Sequence, residues 1–348
     1  MLLHTLTKPR FPSTRYQGSK GKLVNWIWDQ IRGLEFDTAL DLFGGTGRVS
    51  HLLKQEGKEV TYNDSLTFNY LIGSALIENS RETLTEDDIN HVLRRNDAVN
   101  YPTFVADTFR GIFYLDDENS WLDTATENIR RIENRYKQAL AYFALFQAAL
   151  IKRPFNLFHR SNLYLRLQDV HRSFGNKTSW DRPFEDWFCH FAQEANDAVF
   201  SNGRDNRALN LDWRDVPAQY DLVYVDPPYL SGKGVGVDYL DFYHFLEGIA
   251  RYDEWLSLLD FRRKHIPLKH ETPEWSDPRR IYEAFDGVFR QFAESILVVS
   301  YRSDGIPNDT ELVQMMRRYK RDVSEVKRRS YQYVLSRNNL EEVLIIGS

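Results

Sequence analysis

The tetrapeptide Asp226-Pro227-Pro228-Tyr229 combines residue types that suit the binding of an exocyclic amine. Proline fixes its φ angle and donates no backbone hydrogen bond, so the carbonyl oxygens beside it are held outward in a rigid frame. The Asp226 carboxylate adds a second acceptor, and the Tyr229 ring offers a face on which a planar base would stack, worth about 1–3 kcal/mol. The alternative is a strand that ends in a tight turn with a surface tyrosine.

An apolar run precedes this tetrapeptide and positions it. Residues 221–225 are rich in β-branched side chains and are halted by two prolines, a pattern that predicts a buried strand. The tetrapeptide therefore lies at the carboxyl end of a strand. Open α/β sheets bind their ligands in the crevice outside these strand ends.

A strand, a glycine loop and a helix are predicted in succession from residue 38 to residue 56. Residues 38–43 predict a short buried strand, Gly44 to Gly47 form the loop, and residues 48–56 predict the helix. This order is the first turn of a nucleotide-binding βαβ unit, where glycines let the backbone approach a ligand. Because the loop lacks the Lys-Ser/Thr pair of a P-loop and departs from G-x-G-x-x-G, a P-loop and a dinucleotide site are disfavoured.

Two polar segments flank this unit. Asp64 ends a predicted strand about 20 residues past the glycine loop, where a carboxylate would bind ribose hydroxyls; a solvated turn is the alternative. Residues 16–20 lie at the start of a predicted helix, whose free N–H groups attract carboxylate or phosphate, and Lys20 adds charge. A plain N-capping loop is the alternative there.

Further strands are predicted on both sides of the tetrapeptide. Residues 209–213 predict a short strand that ends in an acid beside an aromatic residue. Asp212 would accept from an adenine amine and Trp213 would cover a ring, with a core tryptophan as the alternative. The other predicted strands are residues 295–301 and a closing hairpin of residues 323–335 and 342–346.

Length and composition narrow the class of protein. A chain of 348 residues with 42% hydrophobic residues can form one large domain with an insertion, or two domains. No apolar stretch is long enough to span a bilayer, and the N-terminus lacks the apolar core of a signal peptide, so we expect a soluble intracellular protein. The single cysteine, Cys189, excludes an internal disulfide and a Cys-based zinc cluster, and its amphipathic context predicts a buried thiol. We predict no metal ligand.

Basic residues are concentrated between residues 128 and 172, although the net charge of the chain is −5. Only Glu133 and Asp169 oppose them, and aromatic residues are interleaved. Such a band suits a phosphate backbone; a charged, solvated helix face is the alternative. Residues 152–186 lose helical periodicity, which predicts loops and short strands, and they contain Arg and Asn side chains of the kind that read base edges. The basic residues are Arg130, Arg131, Arg135, Lys137, Lys152, Arg153, Arg160, Arg166 and Arg172.

These motifs, in this order, resemble the alpha group of adenine-specific DNA methyltransferases, the Dam-like group with the DPPY motif. The similarity covers residues 14–80 and 205–348, and the segment between them matches by its placement. The resemblance implies an α/β, Rossmann-like class I fold with a mostly parallel seven-stranded sheet and an antiparallel last strand. It also implies that residues 1–80 and 205–348 form the catalytic domain and that residues 81–204 form an inserted, mainly helical target-recognition domain.

The resemblance implies S-adenosylmethionine as the cofactor. The implied cofactor-binding residues are Tyr16, Gly18 and Lys20 near the methionine part, Asp41, Gly44, Gly45, Thr46 and Gly47 beneath it, Asp64 on the ribose, and Asp212 with Trp213 at the adenine. Phe43, beside the glycine loop, is also an implied cofactor-binding residue. The implied DNA-binding residues are Lys152, Arg153, Asn156, His159, Arg160, Asn162 and Arg166.

By the same resemblance the catalytic residues are Asp226, Pro227, Pro228 and Tyr229. The lone pair of an adenine 6-amino group is delocalised into the ring. Acceptors at the Asp226 carboxylate and the Pro227 carbonyl would draw this nitrogen toward tetrahedral geometry and free the pair for in-line attack on a sulfonium methyl. No covalent enzyme intermediate is needed. A base inside a duplex must be flipped out, and Tyr229 would stack on it.

Three hypotheses about function follow. The first is a site-specific enzyme that methylates adenine in duplex DNA, within a restriction-modification system or as an orphan or phage enzyme. The second is methylation of RNA or of the cytosine 4-amino group; Asp226 favours adenine, because family enzymes that act on cytosine usually carry Ser at that position. The third is a catalytically silent DNA-binding relative.

The resemblance also sets expectations about partners and location. We expect double-stranded DNA as the partner, with a companion restriction endonuclease where the system has one, and no membrane association. We expect a monomer or weak dimer. We expect a cytoplasmic, nucleoid-associated protein, encoded by a bacterium or a phage.

Overall fold

The structure is a computed structural model that describes residues 9–168, 177–331 and 340–348. These residues form two compact units. The first unit contains the described residues of Met1–Tyr16, Ser74–Gly203 and Asp241–Leu268, and the second those of Gln17–Gly73, Arg204–Leu240 and Lys269–Ser348. Residues 241–268, which the sequence assigned to the catalytic domain, thus group with the first unit. The predicted roles of residues 1–80 and 205–348 as the catalytic domain, and of residues 81–204 as the target-recognition domain, stay predictions.

Seven strands form one sheet in the second unit. They are β1 Thr38–Asp41, β2 Glu59–Asn63, β3 Arg207–Leu209, β4 Leu222–Val225, β5 Ile296–Arg302, β6 Lys327–Tyr331 and β7 Leu340–Gly347. Their order is β3-β2-β1-β4-β5-β7-β6, with β1 to β5 parallel and β7 antiparallel to both β5 and β6. The predicted fold, a mostly parallel seven-stranded sheet with an antiparallel last strand, is confirmed.

The centre of this sheet is β1 and β4, which pair in parallel with Ala39 opposite Leu222 and Asp41 opposite Tyr224. All four residues of β4 are buried, as expected for a strand of a parallel sheet that is covered on both faces. The strand order reverses between β1 and β4. The carboxyl ends of these two strands therefore border the crevice in which such sheets bind ligands.

Fourteen α-helices occur in the described residues. They are α1 Val24–Ile31, α2 Arg48–Gln55, α3 Thr67–Gly73, α4 Glu86–Leu93, α5 Phe104–Thr108, α6 Asp116–Arg130, α7 Arg135–Ile151, α8 Leu163–Leu167, α9 Lys177–Asp181, α10 Phe184–Ala198, α11 Tyr239–Ala250, α12 Trp255–Leu258, α13 Ile281–Gln291 and α14 Asp309–Met316. Within the described part of the chain, none of them has the length and apolar character that crossing a membrane requires.

The first unit is helical and is centred on α7. Every residue of α7 from Ala139 onward is buried, which fits a helix that is apolar on nearly all its faces. An aromatic cluster lies beside it, in which Phe158 stacks on Phe245 with ring centroids 5.0 Å apart and an interplanar angle of 11°. This core anchors the segment that follows α7, in which the sequence predicted DNA contacts.

Several predictions of local structure were wrong or only partly testable. The strand predicted for residues 209–213 ends at Leu209, and Asp212 instead caps a short 3-10 helix, Trp213–Asp215, by accepting from Arg214 N. The segment predicted as loops and short strands carries α8 and α9, which are too short to display a helical period. Cys189 is exposed on α10 rather than buried. Residues 332–335 of the predicted hairpin and Arg172 lie outside the described residues.

Candidate active site

Lys20, Asp226 and Tyr229 meet at the carboxyl end of β4. Asp226 directly follows β4, and Lys20 begins the 3-10 helix Lys20–Lys22. The Lys20 Nζ lies 2.8 Å from Asp226 Oδ1, 2.7 Å from Asp226 Oδ2 and 2.7 Å from Tyr229 Oη. Because the side chains of Lys20 and Asp226 are only 7% and 14% exposed, this ion pair is largely removed from water. Pro227 is buried and Pro228 half-buried beside it.

Two carboxyl groups border the crevice between β1 and β4. Asp41, the last residue of β1, is buried and accepts from Ser50 Oγ at 2.6 Å. Burial raises the pKa of Asp41 to about 7, and the charge of Asp226 contributes to the rise. Burial also raises the pKa of Asp226 above its ordinary value; the Lys20 ammonium opposes this and the Glu342 carboxylate adds to it. A bound cation would therefore stabilise the charged form of both groups.

Glu342 on β7 completes the cluster, and the sequence analysis missed it. Its side chain is fully buried. Its Oε1 lies 2.7 Å from Tyr229 Oη, 2.5 Å from Ser300 Oγ and 3.6 Å from Lys20 Nζ. The sequence shows two adjacent glutamates at the start of an apolar strand, and the pairing of β7 with β5 decides which of them faces the interior.

The Tyr229 ring is packed against the protein. It is 8% exposed and meets Tyr301 edge to face, with centroids 5.1 Å apart and 80° between the ring planes. The Lys20 ammonium lies 4.8 Å from the centroid of the Tyr229 ring. The hydroxyl is also 2.8 Å from Asp226 Oδ1. Stacking of a base on this ring stays a prediction.

The glycine loop joins β1 to α2 and lies against Tyr62 of β2. Gly45 and Gly47 have φ angles of 51° and 75°, a left-handed conformation that favours glycine. A Cβ at Gly44 would lie 2.1 Å from the Tyr62 ring, and one at Gly73 would lie 2.4 Å from the same ring. Tyr62 Oη donates to the Gly45 carbonyl at 2.7 Å. Glycine is therefore required at position 44 by a core side chain rather than by a ligand alone.

Asp64 braces the same loop. Its Oδ2 accepts from Gly45 N and from Asn69 Nδ2, both at 3.0 Å, and its Oδ1 accepts from Leu66 N at 2.9 Å. The residue is half-buried beside β2, as the predicted strand end requires. The predicted contact with a ribose stays a prediction.

An aromatic group formed by Phe43, Trp213 and Trp275 lies in the second unit. Trp275 meets Phe43 at 5.0 Å and Trp213 at 6.3 Å between ring centroids, and both contacts are edge to face. The sequence analysis singled out Phe43 and Trp213 but not Trp275. Asp212 forms an ion pair with Arg214 at 2.8 Å, with both side chains about half exposed. The predicted adenine contacts of Asp212 and Trp213, and the predicted cofactor contact of Phe43, stay predictions.

The predicted residues before Lys20 are held by neighbouring tyrosines. In the first unit, the Tyr16 ring stacks on Tyr243 with centroids 4.5 Å apart and 13° between the planes. In the second unit, Gly18 has a φ angle of 86°, and a Cβ there would lie 2.4 Å from Tyr239 Oη. Thr46 of the glycine loop is buried, with its Oγ1 3.5 Å from Ser19 Oγ. Their contacts with a cofactor stay predictions.

Three of the residues predicted to bind DNA are buried within the first unit. Arg153 donates to the carbonyls of residues 113, 157 and 160, at 3.1, 3.3 and 2.7 Å. Lys152 lies 2.7 Å from Glu118 Oε1, and Arg166 lies 2.7 Å from each oxygen of the same carboxylate. Because their charges and donors are used inside the fold, we assign these three side chains a structural role and do not propose them as phosphate contacts.

Three of the other four predicted DNA-binding residues are nearer to the surface, and the fourth, Asn162, is buried. Arg160 is exposed, and His159 and Asn156 are half-buried. The His159 ring lies 5.2 Å from that of Phe242, and burial lowers the pKa of His159, which favours the neutral imidazole. Asn162 is buried at the start of α8. Arg160 is therefore the side chain of this set that is best placed to meet a phosphate.

Comparison with known proteins gives a consistent result. The sequence pattern of the family described as "D12 class N6 adenine-specific DNA methyltransferase" matches residues 16–274. Type II methyltransferase M2.HphI of Haemophilus parahaemolyticus is 28% identical over 97% of this chain and 97% of its own length. Modification methylase LlaI of Lactococcus lactis subsp. lactis is 26% identical over 95% of this chain and 54% of its own. Type II methyltransferase M.CviAII of Paramecium bursaria Chlorella virus 1 is 24% identical over 94% of this chain and 96% of its own length.

Proposed function

This chain belongs to the family of D12 class N6 adenine-specific DNA methyltransferases, and on that premise we propose that Asp226 holds the amine of an adenine flipped out of duplex DNA. The proposed reaction moves a methyl group from S-adenosylmethionine to N6 of that adenine. One observation carries the proposal: Asp226, Lys20 and Tyr229 meet at the end of β4, beside Asp41 at the end of β1.

In the proposed reaction, two oxygen atoms held at the end of β4 act as hydrogen-bond acceptors for the substrate amine. The Asp226 carboxylate and the Pro227 carbonyl would accept the two hydrogens of the adenine 6-amino group, which frees its electron pair by positioning and electrostatics. The Tyr229 ring would stack on the extruded base and offset part of the lost pairing. Because burial raises the pKa of Asp226, its carboxylate is also a competent acceptor for the proton that the methylated nitrogen loses.

The residues around this cluster fit S-adenosylmethionine. When bound, the cofactor supplies a methyl group on a positively charged sulfur. The buried Asp41, whose pKa is raised by burial, would hold its charged form beside a cation. Gly44 to Gly47 keep the loop open to a ligand, and Asp64 would bind the ribose. The other proposed contacts are Tyr16, Gly18 and Lys20 at the methionine part, and Phe43, Asp212 and Trp213 at the adenine.

Cofactor affinity should weaken as the pH falls through about 7, where Asp41 takes up a proton. Neutral Asp41 no longer attracts a cationic ligand, and a single titrating group changes affinity by up to about tenfold per pH unit. Calorimetric titration of S-adenosylmethionine at pH 8 and pH 6 measures the effect. Asp41→Asn should bind more weakly with a flatter pH profile. Parallel profiles for the two proteins would contradict this role of Asp41.

Replacing Arg160 with alanine should weaken duplex binding and reduce the slope of log K against log salt by about one, as expected for one lost phosphate contact. Arg160 is exposed next to the buried Arg153, which holds the Arg160 carbonyl and should keep the loop in place. Arg110→Ala removes another exposed arginine of the first unit and is the matched control. An unchanged salt slope in Arg160→Ala would remove Arg160 from the proposed interface.

The proposed function is tested by the product. Purified protein, S-adenosylmethionine with a labelled methyl group and mixed-sequence duplex DNA should yield 6-methyladenine after digestion to nucleosides. Label in 4-methylcytosine, or only in RNA offered in parallel, would move the proposal to the second hypothesis. No label in any nucleic acid, with retained DNA binding, would indicate a catalytically silent relative.

The relatives also suggest a biological setting. Several are named as type II methyltransferases or modification methylases. We infer that this enzyme modifies specific sites of its host's DNA as part of a restriction-modification system with a companion endonuclease. Sequencing host DNA with modification-sensitive reads would identify the site and show whether it is methylated throughout the genome.

A further inference from the structure

Glu342 is a buried acid that the proposed reaction does not yet use. It lies on β7, where the following residues Val343, Leu344 and Ile345 are all buried and apolar. A buried carboxylate is strongly unfavourable unless charged or hydrogen-bonding partners compensate it. Its partners include Tyr229, Ser300 and Lys20, and two of these also contact Asp226. The position of Glu342 therefore bears on the reacting group.

The same contacts reveal a competition for Asp226. Its Oδ1 lies within 2.8 Å of both Lys20 Nζ and Tyr229 Oη. Each carboxylate oxygen has two lone pairs, so both lone pairs of Oδ1 are in use when Lys20 and Tyr229 donate to it. An adenine amine that binds at Oδ1 therefore requires one of these two donors to be directed elsewhere. A tyrosine hydroxyl carries a single hydrogen, so Tyr229 donates to Asp226 or to Glu342 but not to both. The two acceptors are 2.8 and 2.7 Å from Tyr229 Oη.

We propose that Glu342 is a positioning residue for methyl transfer: it accepts the hydrogen of the Tyr229 hydroxyl and so leaves Asp226 Oδ1 able to accept from the adenine amine. The same bond fixes the hydroxyl end of the ring on which the base stacks. Ser300 donates to Glu342 Oε1 from β5 and holds the carboxylate in place. This inference rests on the proposed function and adds to it a residue that does not touch the substrate.

Glu342→Gln tests the charge of this acceptor while preserving its shape. A neutral amide oxygen accepts more weakly, so Tyr229 should donate to Asp226 and lower kcat about tenfold, the effect of one hydrogen bond. The acid limb of the kcat profile should also move to lower pH, because a negative charge that raises the pKa of Asp226 is lost. The other groups facing Asp226 are Lys20, Tyr229, Asp41 and Tyr224, and they remain.

Glu342→Asp distinguishes the effect of side-chain length from the effect of negative charge. The shorter side chain keeps the negative charge but withdraws it from Tyr229 Oη, so kcat should fall while the acid limb moves less than in Glu342→Gln. In a Tyr229→Phe background, which has no hydroxyl hydrogen to direct, Glu342→Gln should lower kcat no further. Glu341→Gln, at the neighbouring and partly exposed position, is the matched control and should match the wild type.

The outcomes distinguish this inference from the proposed function. Wild-type protein that forms no 6-methyladenine would overturn the proposed function itself. An active wild type, with losses from Glu342→Gln and Tyr229→Phe that simply multiply in the double variant, would overturn the positioning role. So would an acid limb that stays in place while thermal unfolding shows a folded Glu342→Gln variant. Non-multiplicative losses with a shifted acid limb support the inference.

Discussion

Asp226→Ala should lower single-turnover methyl transfer by about a hundredfold to a thousandfold, the usual cost of removing one preorganised electrostatic group from an active site. The side chain follows β4 directly and is held by Lys20 at 2.7 and 2.8 Å, so its position is fixed before substrate binds. Duplex affinity should stay near that of the wild type, because phosphate contacts supply most of it. Rapid-quench methylation and a DNA-binding titration measure the two quantities separately.

Two further variants sharpen this test. Asp226→Asn retains the shape and one acceptor oxygen but loses the charge that pairs with Lys20, so its activity should lie between those of the wild type and Asp226→Ala. Asp205→Ala removes an exposed acid of the same unit, paired with Arg207, and should leave methylation unchanged. Retained activity in Asp226→Ala would exclude Asp226 from the chemistry, and the proposed site would have to be moved.

Lys20→Met should destabilise the fold by about 3–5 kcal/mol, the typical cost of removing one partner of a buried ion pair. The ammonium is the cation shared by Asp226 and Glu342, which lie 2.7 and 3.6 Å from it. Without it, the lowering effect of Lys20 on the pKa of Asp226 is lost while the raising effects of burial and of the Glu342 charge remain. Urea unfolding followed by circular dichroism measures the free energy, and methyl transfer should be lost as well.

The pH dependence of this loss has a definite sign. Burial raises the pKa of Asp226 in the folded state, and loss of the Lys20 ammonium raises it further, so the destabilising effect of this carboxyl group grows as the pH rises from its unfolded pKa to its folded pKa. Lys20→Met should therefore lose more stability at pH 8 than at pH 5, and adding Glu342→Gln should restore part of it. Lys22→Met, exposed in the same 3-10 helix, is the control. Equal losses in the two lysine variants would contradict the buried pair.

The sequence contained enough information to predict the parts of the site that local pattern determines. The apolar run before Asp226 and the two prolines after it locate a strand end, and the glycine run after residue 43 locates a loop at a second strand end. Both predictions are confirmed by β4 and β1. Their adjacency follows from the parallel α/β topology, in which the crevice forms where the strand order reverses.

Features that depend on distant pairing were not predictable in this way. Glu342 lies far along the chain from Asp226, and its neighbour Glu341 is indistinguishable from it in the sequence. Only the register of β7 on β5 turns Glu342 toward Ser300 and leaves Glu341 partly exposed. A buried acid of this kind becomes visible only when the tertiary contacts are known.

The basic residues between positions 128 and 172 illustrate the opposite case, in which the sequence suggested surface residues that the structure buries. A count of charges between residues 128 and 172 suggested a surface for phosphate, yet Lys152 and Arg166 share Glu118, which lies outside the counted interval. The Arg153 guanidinium donates hydrogen bonds to the carbonyl groups of residues 113, 157 and 160. A count of charges within one interval of the sequence does not include an acidic partner on another helix. The exposure of a basic side chain therefore has to be known before it is predicted to contact a nucleic acid.

The ring of Tyr62 lies against both Gly44 and Gly73, two positions on different elements of the second unit. The three sites therefore share one fixed volume, and a larger residue at either glycine is compatible only with a smaller one at position 62. Homologous sequences should show this compensation, with a larger residue at position 44 or 73 accompanied by a smaller one at position 62. A larger residue at position 44 beside an unchanged tyrosine would mark a relative whose loop has taken a different shape.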